Sequence, residues 1–214
     1  ALDRPRSASP SYNGRTVHTL LSEALSSQLQ RISHSQGNTL YVTLLAGFFW
    51  MLSKYSGQKD IIVGSPLAQR NQAENENLMG FFLNMLPIRQ QLNPQLSVAE
   101  LLQATKEKVN GALEASDYPF ANILGWAQSA RDTSISPVFQ VMFNMLSYSD
   151  PALEHEGFSL DYESLETGHT KYDFSLYAQE YGDRLFLQIA YQTELFDDET
   201  MHRFLENLET FYSS

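Results

Sequence analysis

The stretch from Ile62 to Arg89, IVGSPLAQRNQAENENLMGFFLNMLPIR, restricts the fold more than any other part of the chain. An Ile- and Val-rich run over 60–64 turns at Gly64-Ser65-Pro66. It then passes through a polar loop at 71–77 that carries Glu74 and Glu76, and closes on Gly80-Phe81-Phe82-Leu83-Asn84-Met85-Leu86-Pro87-Ile88-Arg89. The run over 60–64 does not alternate, which predicts burial on both faces, as in a central strand. Residues 79–88 are predicted to be extended. Pro87 has no N–H to give to a ladder, so it places the end of that segment near a sheet edge or a strand terminus.

Helical and extended patterns alternate around this stretch. Residues 1–14, rich in Ser and Pro, have no periodicity and read as a linker. Residues 15–21 read as a strand. Leu25, Leu29 and Ile32 at i, i+4, i+7 predict an amphipathic helix over 22–36, stopped at Gly37. A helix over about 40–55 is apolar nearly all round and is predicted to be buried on most sides, with Gly57 ending it. Ser97 and Glu100 form a capping-box pair for a helix that fades near Ala115. Pro119 opens a short helix through Gln128. Strands are predicted at 138–146 and 158–165, and a hairpin at 172–180 and 184–191 around Tyr181-Gly182-Asp183. A last helix starts at an Asp197 or Asp198 cap. The fold class is α/β: a mixed, extended-rich sheet flanked by helices, antiparallel at the hairpin and open to parallel pairing where helices separate the strands.

Composition removes several function classes. The 214 residues, 43% of them hydrophobic with 13 Phe and 11 Tyr, suit one domain or one lobe of a larger enzyme. A formal net charge of −11 with no basic stripe argues against nucleic acid. The chain has no cysteine, which excludes disulfides, thiolate catalysis and Cys-based metal sites. No apolar run is long enough for a membrane span, and a cytoplasmic location is expected. The five histidines (His18, His34, His155, His169 and His202) form no metal-binding spacing. Ser65 lies outside a Gly-x-Ser-x-Gly elbow, so neither a catalytic nucleophile nor a metal is expected.

Four motifs in order resemble the condensation domains of nonribosomal peptide synthetases. Gly64-x-Pro66-x-Ala68-x-Arg70 with Gly80-Phe81-Phe82-x-Asn84-x-Leu86-Pro87-x-Arg89 is similar to the family's fifth motif. Asp117-Tyr118-Pro119-Phe120 is similar to the centre of the sixth, usually HQDYPFE, although Ala115, Ser116 and Ala121 replace its outer residues. Arg131-Asp132-Thr133-Ser134-x-x-Pro137-x-Phe139 is similar to the seventh, usually RDxSRNPLF, with Ile135 and Ser136 in place of Arg-Asn. Lys171-x-Asp173-Phe174 resembles a segment found before the family's late hairpin, and Asp3-Arg4-Pro5-Arg6 the connection between its two lobes. The resemblance implies a chloramphenicol-acetyltransferase-like lobe over 15–214, with 1–14 as the interlobe linker. The family's catalytic HHxxxDG is absent from this sequence, so the resemblance implies the C-terminal lobe alone. Its partners would be the N-terminal lobe, donor and acceptor peptidyl carrier proteins with their phosphopantetheine arms, and an adjacent adenylation domain. No cofactor would be bound directly.

Two residues are candidates for substrate or cleft contact. Arg70 either faces the cleft, where a planar guanidinium suits a carboxylate of the other lobe, or pairs on the surface with Glu74 or Glu76. Asn84 either hydrogen-bonds the tethered substrate or is a buried amide that satisfies backbone. Phe81, Phe82 and Tyr118 read as core, Gly64 and Gly80 as tight backbone, and Asp117 as the cap of the Pro119 helix. Arg131 and Asp132 read as fixing the loop before the 138–146 strand. Pro66, Pro87, Arg89, Pro119 and Phe120 complete the motif set. Two further functions are compatible with the residues: a non-catalytic module that binds carrier proteins or other partners, and a dimeric acyltransferase with a histidine in a cleft between copies.

Overall fold

The computed structural model of the chain describes residues 2–7, 11–69, 78–127, 135–146 and 168–214. The elements run β1 (Gly14–Leu20), α1 (Glu23–Ser35), α2 (Leu40–Ser56), β2 (Asp60–Ala68), β3 (Leu83–Gln91), α3 (Val98–Glu114), α4 (Phe120–Ala127), β4 (Val141–Leu146), β5 (Phe174–Tyr181), β6 (Arg184–Gln192) and α5 (Asp198–Ser213). Side chains placed to take free first-turn amides start three of the helices. Ser22 accepts from the Leu25 amide and Thr39 from the Val42 amide. At α3 the Ser97–Glu100 box is present in both directions. Gly57 ends α2 in the left-handed region at φ 73°, where a side chain would be strained. Gly182, at φ 57°, turns the β5–β6 hairpin between the paired residues Tyr181 and Arg184.

The six strands form one mixed sheet in the order β1-β6-β5-β4-β2-β3. β4 runs parallel to β2 and to β5, and the other neighbours are antiparallel. β3 is an edge strand, so Pro87 stands where a lost donor costs the ladder least. β2 extends past the expected end at Gly64 to Ala68, because all nine of its residues pair with β3. It can carry Pro66 there since its parallel pairing with β4 involves only Val63 and Gly64. β4 starts at Val141, three residues later than expected. The strand expected at 158–165 and the loop at 71–77 lie outside the described residues.

Helices α1, α2, α3 and α5 cover one face of the sheet and enclose the core with it. Helix α2 is the centre of that layer: Leu44, Leu45, Phe48 and Phe49 are fully buried, as its unbroken apolar surface requires. Phe48 packs edge-on against Phe174 and Phe204, and tilted against Phe143, with ring centroids 5.9 to 6.1 Å apart. Burial of each such ring contributes on the order of 1.5–3 kcal/mol. Gly47 lets α5 close on α2: a Cβ there would lie 2.3 Å from the Tyr212 ring, whose hydroxyl donates to the Leu44 carbonyl at 2.7 Å. Among the described residues no helix is long and apolar enough to cross a membrane.

The stretch expected to be a linker, residues 1–14, is held to the rest of the chain by ion pairs and hydrogen bonds where it is described. Arg4 donates to the Thr193 carbonyl at 2.8 Å and pairs with Asp197, while the Asp197 amide donates to Asp3 at 2.9 Å. Arg6 forms a two-pronged, half-buried pair with Asp173 at 2.8 and 2.5 Å. Asp197 holds the N-cap position of α5, but its carboxylate is engaged by Arg4 and makes no cap bond. Asp198 instead accepts from the Tyr191 hydroxyl and from Arg15.

Candidate functional site

Cross-strand pairing places residues from opposite ends of the chain in single rows, because paired residues point to the same face. On the face opposite helices α1, α2, α3 and α5, one row runs Pro87, Gly64, Met142, Ser175, Ala190 and Thr16. The next runs Asn144, Tyr177, Gln188 and His18. The first row is mostly small. The second is wholly polar and half-buried to exposed. Burial raises the Tyr177 hydroxyl above its ordinary pKa, partly offset by a hydrogen bond with Ser175. His18 packs against Phe186 with ring centroids 5.4 Å apart. Position-by-position reading missed this row. Its signal was the polar alternation of β5 and β6, which becomes a surface only once the register is known.

At the β2 end of this face the motif residues meet. Phe139 is buried (1% exposed) yet stands outside the main core cluster. Its ring lies over Gly64, where a Cβ would meet three ring carbons at 2.2 to 2.6 Å. Phe120 flanks it at 5.5 Å between centroids and Tyr172 at 5.2 Å. The fifth, sixth and seventh motifs and the 171–174 segment thus share one aromatic column. Gly64 was expected to serve tight backbone. Its φ is ordinary, and the constraint is the ring packed against it.

Asn84, buried at the start of β3, ties the same motifs through backbone. Its Nδ2 donates to the carbonyls of Ser116 at 2.8 Å and Tyr118 at 2.9 Å, and its Oδ1 accepts the Phe120 amide at 3.0 Å. Both amide hydrogens are therefore committed, which is the geometry of a satisfied buried amide. The first free amide of α4 is capped by this residue from a neighbouring strand, whereas Asp117, the expected cap, is exposed. Gln69 adds a second tie, from its amide to the Phe82 carbonyl at 2.7 Å and from Nε2 to the Ser116 carbonyl at 2.8 Å.

Two aromatics expected in the core are not there. Phe81 is 86% exposed and Tyr118 is exposed, tilted against Trp126 at 5.6 Å between centroids; Phe82 is half-buried, and a Cβ on Gly80 would touch its ring. β3 starts only at Leu83, four residues later than the extended segment expected from 79, and no described element covers Phe81 or Tyr118. Arg70, Arg131 and Asp132 lie outside the described residues. Among the described residues no cluster of His, Asp and Glu could hold a metal ion. Ser65, buried, accepts a hydrogen bond from the Tyr41 hydroxyl at 2.7 Å.

Arg89 is held outside this junction. It forms a two-pronged pair with Asp60 at 2.8 and 2.6 Å across the β2–β3 edge, and that guanidinium lowers the Asp60 carboxyl to about 2. The folded value lies below the unfolded one, so the contribution to stability is present above the unfolded pKa and is lost as pH falls toward about 2. In Arg89→Met, an NMR titration is expected to find Asp60 back near about 4. An unmoved titration would show that Arg89 is not the cause.

A family model described as "Condensation domain" matches residues 1–213. Bacitracin synthase 1 of Bacillus licheniformis is 35% identical over 207 residues, which are 97% of this chain and 4% of that protein. The chain thus spans a small fraction of the synthases that it matches. A solved four-domain nonribosomal peptide synthetase, bound to AMP and glycine, superposes with a TM-score of 0.88 at 21% identity, covering 99% of this chain and 17% of that one. The first condensation domain of the calcium-dependent antibiotic synthetase, in complex with a substrate analogue, gives a TM-score of 0.77 at 17% identity, covering 98% of this chain and 46% of that one.

Proposed function

The chain belongs to the condensation-domain family of nonribosomal peptide synthetases, and from that membership we propose that it is the acceptor-side half of a domain that joins aminoacyl or peptidyl groups held as thioesters on carrier proteins. The sheet face opposite α1, α2, α3 and α5 carries this reading. Its row of Asn144, Tyr177, Gln188 and His18 offers hydrogen-bonding groups on a rigid, half-buried surface, beside a row small enough to let a tethered chain lie close. That is the wall expected of a channel through which two phosphopantetheine arms meet. Holding both reactants by their tethers turns a bimolecular step into one within a single assembly.

The chemistry would come from the other lobe. No two of the five histidines are adjacent and none precedes Asp-Gly, so the HHxxxDG motif would be supplied by an N-terminal lobe, and this chain alone would be inactive. Arg70 would face that lobe across the cleft. Donor and acceptor carrier proteins and an adjacent adenylation domain, in the cytoplasm, would be its further partners. A second reading rests on His18, which lies on the open face: a histidine-dependent acyl transfer between two copies of this chain.

One assay separates the readings. The chain alone, and the chain joined to an upstream lobe bearing HHxxxDG, are each mixed with two loaded carrier proteins, and the amide product is followed by mass spectrometry. Product is expected only from the two-lobe protein, and is expected to vanish when the second histidine of that motif is changed to alanine. Product from the chain alone, lost in His18→Ala, would favour the second reading. A folded two-lobe protein that stays inactive on several loaded pairs would count against the first.

A further inference from the structure

The sheet parts between β2 and β4. β4 pairs with β5 through Leu146, and β2 with β3 through Ala68, but β2 and β4 pair with each other only at Val63 with Val141 and Gly64 with Met142. Pro66 supplies the reason. Gln69 donates to the Phe82 carbonyl and Leu92 to the Lys59 carbonyl, so every second residue from 59 to 69 turns its backbone groups to β3. The residues between them, Ile62, Gly64 and Pro66, face β4, and Pro66 has no N–H to give there. Past Gly64 and Met142 the two strands therefore border a crevice instead of a ladder. β2 leads on to β3 on one side and β4 to β5 on the other. The carboxyl ends of parallel strands that part in this way are where an open α/β sheet leaves room for a ligand.

The crevice is a cavity of about 380 Å³, within the roughly 300–1,000 Å³ of small-molecule sites. Leu67 and Met145 flank it from the two strands, and Ile88 and Val109 close it from β3 and α3. Asn144, a member of the polar row, lines it as well, so the cavity reaches that row. Inside, the Tyr41 and Ser65 hydroxyls are bonded to each other. Among the described residues no carboxylate lines the cavity, and its one ammonium, Lys106, donates to the Gly37 carbonyl at 2.7 Å at the exposed rim. A charged side chain that entered would lose water and gain no partner, whereas an apolar one would be sheltered on several sides. We propose that this crevice receives the uncharged aliphatic or aromatic side chain of the acceptor residue and so selects which residues are accepted; the inference rests on the half-domain reading.

Two measurements test this. In the first, the two-lobe protein is given acceptor carrier proteins loaded with glycine, leucine, phenylalanine, aspartate or lysine, and kcat/KM is compared. Leucine or phenylalanine is expected to exceed glycine, aspartate and lysine by about tenfold or more. Met145→Trp fills the cavity from β4 and is expected to lower the leucine-to-glycine and phenylalanine-to-glycine ratios by about tenfold. Leu67→Ala widens it and is expected to move the preference from leucine toward phenylalanine. Leu113→Trp narrows the same cavity from its exposed rim, away from the core, and takes the place of Met145→Trp if that variant fails to fold. In the second, the chain alone is titrated with N-acetylphenylalaninamide, which is expected to shift the NMR amide signals of Ser65, Leu67 and Asn144 more than N-acetylglycinamide does. Equal shifts from the two probes, or none from either, would overturn the proposal. So would acceptor ratios that the tryptophan variants leave unmoved while amides still form, and the half-domain reading would then stand. No amide from any acceptor in a folded two-lobe protein removes the half-domain reading and this inference with it.

Discussion

Gly64→Ala is expected to destabilise the fold by about 1–3 kcal/mol, the range that overpacking of a filled interior costs. The added methyl would stand 2.2 to 2.6 Å from three carbons of the Phe139 ring, well inside contact distance. A free phenyl ring could swing away. This one is held between Phe120 and Tyr172 and is 1% exposed, so relief requires the whole column to move. The backbone gives no second reason for glycine at this position, since its φ is not positive. Phe139→Leu shortens the ring side chain and opens a cavity, and on its own is also destabilising. Together the two changes are expected to cost less than their sum, because the methyl would fill space that the ring has left. Urea unfolding of the two single variants and the double variant gives the coupling. Strict additivity would mean that the Gly64–Phe139 approach is not what selects glycine here.

This contact shows where reading along the chain stops. The α3 capping box, the β5–β6 turn at Gly182 and the buried α2 helix are local: three to seventeen neighbouring residues carry each signal, and the structure has all three. Gly64 and Phe139 are 75 positions apart, and nothing near either residue says that one is shaped by the other. The same holds for the cap of α4. Asp117 has the right chemistry and the right place in sequence, yet Asn84 reaches the Phe120 amide from another strand. The polar row was half legible. Alternation in β5 and β6 indicates which residues share a face, but only the register brings Asn144 and His18 into line with them. Phe81 misleads for a different reason. Two adjacent phenylalanines imply core, whereas these two precede β3 and Phe81 is left exposed.

Asn84→Leu is expected to cost about 2–4 kcal/mol, since a buried group left without its partner costs about 1–3 kcal/mol and two lose theirs at once, the Tyr118 carbonyl and the Phe120 amide, while the Ser116 carbonyl keeps its bond from Gln69. The sum is capped because the turn is near the surface and water can reach part of it. The loss is expected to be local first, with hydrogen exchange rising at the Phe120 amide and along α4 before the β5–β6 core is affected. Asn84→Asp makes a sharper test. It keeps an acceptor for the Phe120 amide but sets its second oxygen against two carbonyl oxygens, at sites now 2.8 and 2.9 Å from a donor nitrogen. The ionised form is disfavoured there, so the folded pKa of this aspartate is raised above the unfolded value of about 3.9. A raised folded pKa gives stability that is present below the unfolded pKa and lost as pH rises through the folded one. The gap between wild type and Asn84→Asp is therefore expected to widen from pH 4 to pH 7, and a gap independent of pH would remove the clamp as its cause. The same variants separate the two roles of Asn84. A clamp predicts that amide formation by the two-lobe protein falls together with protection of α4. A substrate contact predicts that amide formation falls in Asn84→Leu while exchange at Phe120 stays at its wild-type rate.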